Sequence, residues 1–245
     1  MSDLKILRGS PVPLSNGLFV HPLKLGDIEN LGEELYNLYV SLIRINKDIV
    51  DKQNLSPIEK ITLAKQSSFD FFMDVIKENK SWRDGIFEGL RLFIREKIHY
   101  DEVKNKVYFH RDKEFLLLNE NLWIEIKNII EKQNFIQDSG QSYSPANKKA
   151  TELLNRLNEI KQKHQEKLGV EAISLSDVIS LVASHSKNFN IVTIWDLTVN
   201  QLYLEYYRMI KWDAYHNDYI HLPHMSEQDR KNLEHWVIGN NKIKL

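Results

Sequence analysis

Apolar side chains recur at helical spacing along much of the chain. From residue 28 they return every three or four positions, which predicts an amphipathic helix with the inward stripe Leu31, Leu35, Leu38, Tyr39, Leu42 and Ile45. A helix from 57 to about 78 is predicted next, because Ser56-Pro57-Ile58-Glu59 combines a capping hydroxyl, a proline and a carboxylate. Its expected inward residues are Phe69, Phe72, Val75 and Ile76.

A third helix is predicted from Trp82 to about Ile98, with the stripe Trp82, Ile86, Leu90, Phe93 and Ile94. Asn119 or Asn121 is placed to cap a further helix. The expected inward side of that helix carries Leu122, Ile126, Ile129, Ile130 and Gln133.

Two short stretches have the pattern of β-structure. The first 24 residues are predicted to be extended, with a hairpin at Asn16-Gly17 and with prolines that restrict the segment to a sheet edge. Lys106–Phe109 and Phe115–Leu118 flank a charged turn, which predicts a second hairpin. Both elements are small beside the helices.

Residues 137–146 have no apolar periodicity and contain glycine and proline, as is typical of a linker. Beyond them we predict helices over 146–168, from Ser174 to about Ser184, from Thr193 to about Asp218, and from Ser226 to Val237. The chain is therefore predicted to be mainly α with a small β element. Its expected parts are an N-terminal helical domain 1–136, the linker 137–146 and a C-terminal helical domain 147–245.

Composition excludes several classes of function. The 33 Lys and Arg residues balance 34 Asp and Glu residues, so the chain has no broad positive field and we expect no nucleic-acid partner. The absence of cysteine excludes a disulfide framework, a thiolate zinc site and a cysteine nucleophile. No run of 18 apolar residues and no signal-peptide pattern occurs, so we expect neither a membrane span nor secretion.

The sequence contains none of the common phosphate-binding, dinucleotide-binding, metalloprotease or hydrolase motifs. Histidines with carboxylates nearby make one suggestive group in the last thirty residues: His216, His221, His224 and His235. Their spacing matches no established metal motif, and a proline lies between His221 and His224. We therefore predict no metal, no cofactor and no enzymatic activity, with a metal-dependent enzyme that uses these histidines as an alternative.

Aromatic residues are concentrated between 195 and 219, where seven of them occur. Leu202, Tyr203, Tyr206, Met209 and Ile210 follow one helical stripe and are expected to be core. Tyr and Trp residues off that stripe suit a protein interface, so the predicted partner-binding residues are Tyr207, Trp212 and Tyr215, with Tyr36 and Tyr39 as second choice. The competing interpretation is that all five close the core.

Three segments carry a resemblance to a known family. Leu175–Val182, Thr193–Tyr203 and Leu233–Trp236, in this order and spacing, resemble tail assembly chaperones of tailed bacteriophages that infect Gram-positive bacteria. Leu25–Gly32 and Ile126–Phe135 add to the likeness, which thus extends over most of the chain. These motifs are packing and capping patterns with no catalytic residues.

The resemblance implies a non-enzymatic accessory protein in the cytoplasm of the infected host cell. Such chaperones bind the long helical tape measure protein and assist assembly of the tail tube around it. The expected partners are thus the tape measure protein, a second copy of the chain and tail tube subunits. The alternative within the same biology is a structural component of the phage tail or head–tail connector.

Overall fold

The computed structural model describes residues 2–45, 47, 63–136, 174–221 and 223. Within these residues the helices are α1 (Ser2–Arg8), α2 (Leu25–Leu31), α3 (Glu33–Ile43), α4 (Ser68–Glu78), α5 (Lys80–Ile94), α6 (Glu120–Gln133), α7 (Leu175–His185) and α8 (Val199–His221). The strands are β1 (Val12–Pro13), β2 (Phe19–Val20), β3 (Lys97–Asp101), β4 (Lys106–Arg111) and β5 (Glu114–Leu117). The predicted fold class, mainly α with a small β element, is confirmed.

The chain divides into two compact units. The first consists of Met1–Phe135 together with Trp195–Gln201, and the second of Ile136–Ile194 and Leu202–Lys244. The helix start at Ser56–Glu59, the linker 137–146 and the helices predicted over 146–168 and 226–237 lie outside the described residues. The domain boundaries proposed from the sequence therefore stay a prediction.

The N-terminus begins with a helix, where an extended segment was expected. Gly9 ends α1 with φ +72°, and the N–H groups of Gly9 and Ser10 donate to the carbonyls of Ile6 and Lys5 at 2.9 and 2.8 Å. This glycine-terminated arrangement satisfies the last helical carbonyls, while Ile6 is buried. The predicted hairpin follows, with β1 and β2 antiparallel in the register Val12↔Val20.

The helix predicted from residue 28 is two helices, because Gly32 breaks it with φ +92°. The break resets the helical phase, so α3 buries Tyr36, Val40 and Ile43. Leu35 and Leu38 of the expected stripe are instead 38% and 50% exposed. The existence of a helical segment was predicted correctly, but its inward face was wrong at Leu35 and Leu38, whereas Ile45 is 3% exposed as expected.

Helix α4 has its own start, which the prediction of one helix to residue 78 did not include. The Ser67 hydroxyl accepts a hydrogen bond from the Asp70 N–H at 3.0 Å. Asn79 caps α5 in the same way through the Trp82 N–H, at 3.0 Å. Most of the predicted inward residues are buried: Phe72, Ile76, Ile86, Leu90, Phe93 and Ile94. Trp82, by contrast, is 39% exposed.

Helices α3 and α5 approach closely at two glycines. A Cβ added at Gly89 would lie 3.1 Å from Tyr39 Cβ, and one added at Gly85 would lie 2.7 Å from Leu42 Cδ1. The spacing of four residues places both glycines on one face of α5. Their missing side chains make room for α3.

The second predicted hairpin is confirmed and belongs to a larger sheet. Strands β4 and β5 pair antiparallel with His110 opposite Phe115, and β3, which was not predicted, pairs with β4 on its other side. Arg95 ends α5 in a left-handed conformation with φ 62°. The chain from Lys97 therefore enters a strand where the helical pattern had been extended to Ile98.

Helix α6 confirms its prediction in detail. Asn119 is the cap, accepting from the Leu122 N–H at 2.9 Å, and the buried side includes Leu122, Ile126, Ile129, Ile130 and Gln133. Trp123 is also buried and stacks on Phe72 with ring centroids 3.8 Å apart. This aromatic pair lies in the interior of the first unit.

In the C-terminal part, α7 begins at the predicted cap. Ser174 accepts from the Asp177 N–H, while Asp177 Oδ2 accepts from the Ser174 N–H at 3.0 Å. Helix α8 begins at Val199 and not at Thr193, because Ile194–Asp196 forms a 3₁₀ turn. Among the described residues, no helix is long and apolar enough to cross a membrane.

Candidate functional site

Helix α8 carries the predicted partner-binding residues, and its burial changes along its length. Leu202 is fully buried and Leu204 is 8% exposed. Farther along, the exposed fraction rises to 43% for Ile210 and 55% for Ile220. The C-terminal half of α8 thus presents apolar surface.

Four rings form a continuous stripe on this half, which we call the aromatic face: Trp212, Tyr215, His216 and Tyr219. Their spacing of i, i+3, i+4 and i+7 puts them on one side of the helix. The ring centroids of Trp212 lie 6.4 Å from Tyr215 and 5.9 Å from His216, and those of Tyr215 and Tyr219 lie 6.2 Å apart. Trp212 and Tyr219 are 46% and 59% exposed.

The structure brings together two of the three first-choice residues, Trp212 and Tyr215. Tyr207 is 40% exposed and contacts Tyr206 at a centroid distance of 5.6 Å. It lies five residues from Trp212, and five residues turn an α-helix by about 140°. Tyr207 therefore lies on a different side of the helix from Trp212, outside the aromatic face.

Charged groups at the N-terminal edge of the aromatic face are paired. Glu205 accepts from the Ser186 hydroxyl at 3.2 Å and lies 3.8 Å from the Arg208 guanidinium. At 3.8 Å, with the Arg208 side chain 57% exposed, this ion pair contributes little to stability. Contact through this surface would be governed mainly by the rings.

The second-choice residues serve the interior of the first unit. Tyr36 is only 6% exposed, and its hydroxyl donates to Asn134 Oδ1 at 2.5 Å. Tyr39 is half-buried where α3 meets Gly89. The expectation that Tyr36 is exposed is wrong, because the break at Gly32 turns it inward. Its burial agrees with the competing core interpretation.

The histidines considered for a metal site are placed as follows. His216 stacks on Trp212 and His221 is the last residue of α8. His224 and His235 lie outside the described residues. Within the described part of the chain, no group of three or more His, Asp or Glu side chains is placed to hold a metal ion.

A second exposed aromatic cluster, on the outer face of the three-stranded sheet, was not predicted. Phe115 is 60% exposed, and three rings surround it, His99, Tyr108 and His110, at centroid distances of 6.1, 6.3 and 4.8 Å. The alternation along β4 could have predicted this cluster, since Val107 and Phe109 are buried while Tyr108 and His110 point to the other side of the sheet.

Two polar residues at the C-terminal end of α6, Glu131 and Asn134, were also missed, whereas Gln133 was expected on the inward side. Glu131 forms an ion pair with Arg44 at 3.2 Å, Gln133 Nε2 donates to the Val20 carbonyl at 3.1 Å, and Asn134 accepts from Tyr36. Glu131, Gln133 and Asn134 are all at least nine-tenths buried. The cluster ties α6 to α3 and β2, and its role is structural.

Comparison with known proteins relates part of the chain to a protein family. A family model described as the YomV second domain matches residues 154–239, a range that contains α7 and α8 with the aromatic face. The family is phage-derived, of the Bacillus phage SPbeta-like kind, and the match suggests a phage protein. Searches of curated proteins and of solved structures gave no match.

Proposed function

We propose that this protein is a tail assembly chaperone-like factor of a phage, which binds the tape measure protein in the host cytoplasm and acts without catalysis. The observation that supports this proposal is the aromatic face of α8, inside the segment that matches a phage-derived family. A helical client with apolar stripes would need such a surface, because its own stripes stay open until tube subunits cover them.

The chemistry of the face suits contact with an apolar helix. Trp and Tyr contribute large apolar area with few rotatable bonds, and they are enriched among interface residues that dominate binding energy. Trp212 and Tyr215 are the central contact residues in this proposal, and Tyr207, which is 40% exposed, lies on another side of α8. The same face would support self-association or contact with tube subunits.

The direct test is capture of a phage tape measure protein that is co-expressed with this chain. Trp212→Ala should weaken capture at least about tenfold, as expected for an interface hot spot. Trp82→Ala is the matched control, because Trp82 is 39% exposed on α5, away from the aromatic face in sequence. The Trp82→Ala variant should capture as much tape measure protein as the unchanged protein does.

Thermal unfolding separates a contact residue from a core residue. The midpoints of Trp212→Ala, Tyr215→Ala and Tyr207→Ala should stay within about 1–2 °C of the parent, since exposed substitutions cost little. Undiminished capture by the triple variant would refute the proposed surface. A midpoint lowered by several degrees would assign these rings to the core.

A structural component of the tail could use the same aromatic face, because it too must contact other tail proteins. Mass spectrometry of purified virions distinguishes the two functions. A chaperone leaves the assembled tail and should be absent or present far below one copy per tail. A stoichiometric amount in the particle would favour the structural role.

A further inference from the structure

Residues Trp195–Gln201, which we call the strap, belong to the first unit, although the chain on both sides of them belongs to the second. The strap includes the 3₁₀ turn and the first residues of α8. Thr198, Val199 and Asn200 are only 3%, 3% and 6% exposed. The first turn of α8 is therefore buried in the first unit, together with residues of Met1–Phe135.

The backbone of the strap is fixed next to the start of α2. Thr198 and Lys24 form an antiparallel β-bridge, and the Leu25 N–H donates to the Leu197 carbonyl at 2.8 Å. The Lys24 ammonium also pairs with Asp196 at 2.9 Å. That ion pair is exposed, so the backbone hydrogen bond and the burial carry most of the docking.

Side chains of the strap reach two helix ends in the first unit. Asn200 Nδ2 donates to the Lys132 carbonyl at 2.8 Å, at the C-terminal end of α6. Gln201 Nε2 donates to the Leu7 carbonyl at 3.1 Å, at the C-terminal end of α1. Gly9 allows this approach, because a Cβ there would lie 3.0 Å from Thr198 Cγ2. The strap thus supplies donors to carbonyls at two helix ends, and the Lys132 carbonyl also accepts from the Phe135 N–H at 3.2 Å.

The same residues cap α8. The Thr198 N–H donates to Gln201 Oε1 at 2.9 Å, and the Gln201 N–H donates to Thr198 Oγ1 at 3.4 Å. This reciprocal pair is a capping box. The Gln201 amide therefore closes the helix start with its oxygen and docks the strap with its nitrogen.

We propose that the docked strap nucleates α8: the first unit holds the first helical turn in place, and the helix that carries the aromatic face propagates from it. The first turn of an isolated helix is its costly step, since the nucleation constant is on the order of 10⁻³. The fully buried residues lie at the start of α8, and five large apolar side chains farther along are 40–59% exposed: Tyr207, Ile210, Trp212, Tyr219 and Ile220. A pre-formed first turn removes the nucleation cost of α8, which the partial burial of its later side chains does not offset. This inference does not depend on the proposed chaperone function.

The first experiment uses Gln201→Glu in the full chain and amide hydrogen exchange. The carboxylate keeps the acceptor for the Thr198 N–H, but it cannot donate to the Leu7 carbonyl. Exchange at Leu25 reports docking, and exchange at Tyr203 and Leu204 reports the start of α8. All three should speed up together by at least about fivefold, as expected from losing one hydrogen bond. Ile126 and Ile130 in α6 should keep their rates.

The second experiment closes the strap covalently. The chain has no cysteine, so Lys24→Cys with Thr198→Cys gives a single possible disulfide. The Leu25–Leu197 hydrogen bond marks Lys24 and Thr198 as a non-hydrogen-bonded pair, with Cα atoms about 4.5 Å apart, within disulfide range. Oxidation should slow exchange at Leu25, Tyr203 and Leu204 relative to the reduced form of the same protein.

Two results would overturn the proposal. One is faster exchange at Leu25 in Gln201→Glu with unchanged rates at Tyr203 and Leu204. If Gln201→Glu instead destabilises the whole fold, so that Ile126 also exchanges faster, the comparison of the oxidised and reduced disulfide variant becomes the test. An oxidised form that protects Leu25 but leaves Tyr203 and Leu204 at the reduced-form rates shows that docking does not nucleate α8.

Discussion

Two tryptophans on amphipathic helices show how differently the two regions of this molecule use the same residue type. Trp123 on α6 is 2% exposed and stacks on Phe72 of α4. Trp212 on α8 is 46% exposed and contacts rings of its own helix, Tyr215 and His216. Both stripes follow helical spacing. Periodicity alone therefore identifies a stripe but not whether another element covers it.

The interior of the first unit is closed by polar as well as apolar contacts. Buried amides and a carboxylate at the end of α6 have partners on α3 and β2. On the aromatic face, rings of one helix contact one another, and Trp212 and Tyr219 are 46% and 59% exposed. Substitutions in the interior of the first unit should lower the free energy of unfolding, whereas substitutions on the aromatic face should leave it nearly unchanged.

The largest expected effect is at the buried ring. Trp123→Ala should lower the free energy of unfolding by about 3–5 kcal/mol, because it removes the stack on Phe72 and leaves a cavity. Trp212→Ala should change it by less than about 1 kcal/mol. Urea denaturation of both variants measures the difference. Equal losses would mean that Trp212 is part of the core.

The next effect tests the contact between α3 and α5. Gly89→Ala should destabilise by up to about 2 kcal/mol after the gain of about 1 kcal/mol in helix propensity, since the new Cβ would meet Tyr39 Cβ at 3.1 Å and the Tyr39 carbonyl at 3.4 Å. Gly85→Ala is the control. Its closest neighbour is nearer, at 2.7 Å, but that atom is the end of the flexible Leu42 side chain.

The gain of about 1 kcal/mol in helix propensity from glycine to alanine should offset most of the crowding in Gly85→Ala. Thermal midpoints of the two variants measure this order. A larger loss for Gly85→Ala than for Gly89→Ala would show that Leu42 cannot move aside.

A smaller effect is expected at the buried hydroxyl of Tyr36. Tyr36→Phe keeps the ring but leaves Asn134 Oδ1 without its donor, at a cost of about 1 kcal/mol. Because Tyr36 lies inside the first unit, capture of the tape measure protein should be unchanged. Weaker capture at an unchanged denaturation midpoint would restore Tyr36 as a contact residue.

The smallest effect is a pH dependence from His21. Burial, and next the charge of Arg95, lower the pKa of the His21 imidazole below its ordinary value. The His21 imidazole is therefore protonated more easily in the unfolded chain. The stability that neutral His21 contributes is present above its ordinary pKa and is lost as the pH falls from that value through the lower pKa of the folded chain. In His21→Gln, which keeps the N–H bond to the Phe93 carbonyl, denaturation midpoints between pH 7 and 5 should fall less steeply. An identical slope would exclude His21 as its source.

The elements that the sequence predicted well have local signals. Asn119 and Ser174 are caps whose partners lie three residues away, and the β4–β5 hairpin turns at Asp112 with φ 53°. The missed elements depend on the backbone conformation of a single residue. Gly32, with φ +92°, breaks a helix that the apolar pattern continues, and Arg95, with φ 62°, ends α5 before β3, where the helical pattern had been extended to Ile98.

The candidate site was predictable in its residue types and only partly in its geometry. Trp212 and Tyr215 follow helical spacing, so their proximity could be inferred from the sequence. The burial of Tyr36 could not, because it depends on the phase change at Gly32 and on Asn134, 98 residues away. The docking of Gln201 on Leu7 spans 194 residues and has no local signal.

Because the strap is synthesised after residues 1–135, the first unit completes its fold only late in translation. Residues 1–135 leave the ribosome first, but Leu25, Lys132 and Leu7 gain their strap partners only when residues 195–201 follow. At roughly 5–20 residues per second, the first unit waits about 3–13 seconds in an incomplete state. A chain stalled before residue 195 should therefore be cut by protease near Leu25, and one released after residue 201 should resist.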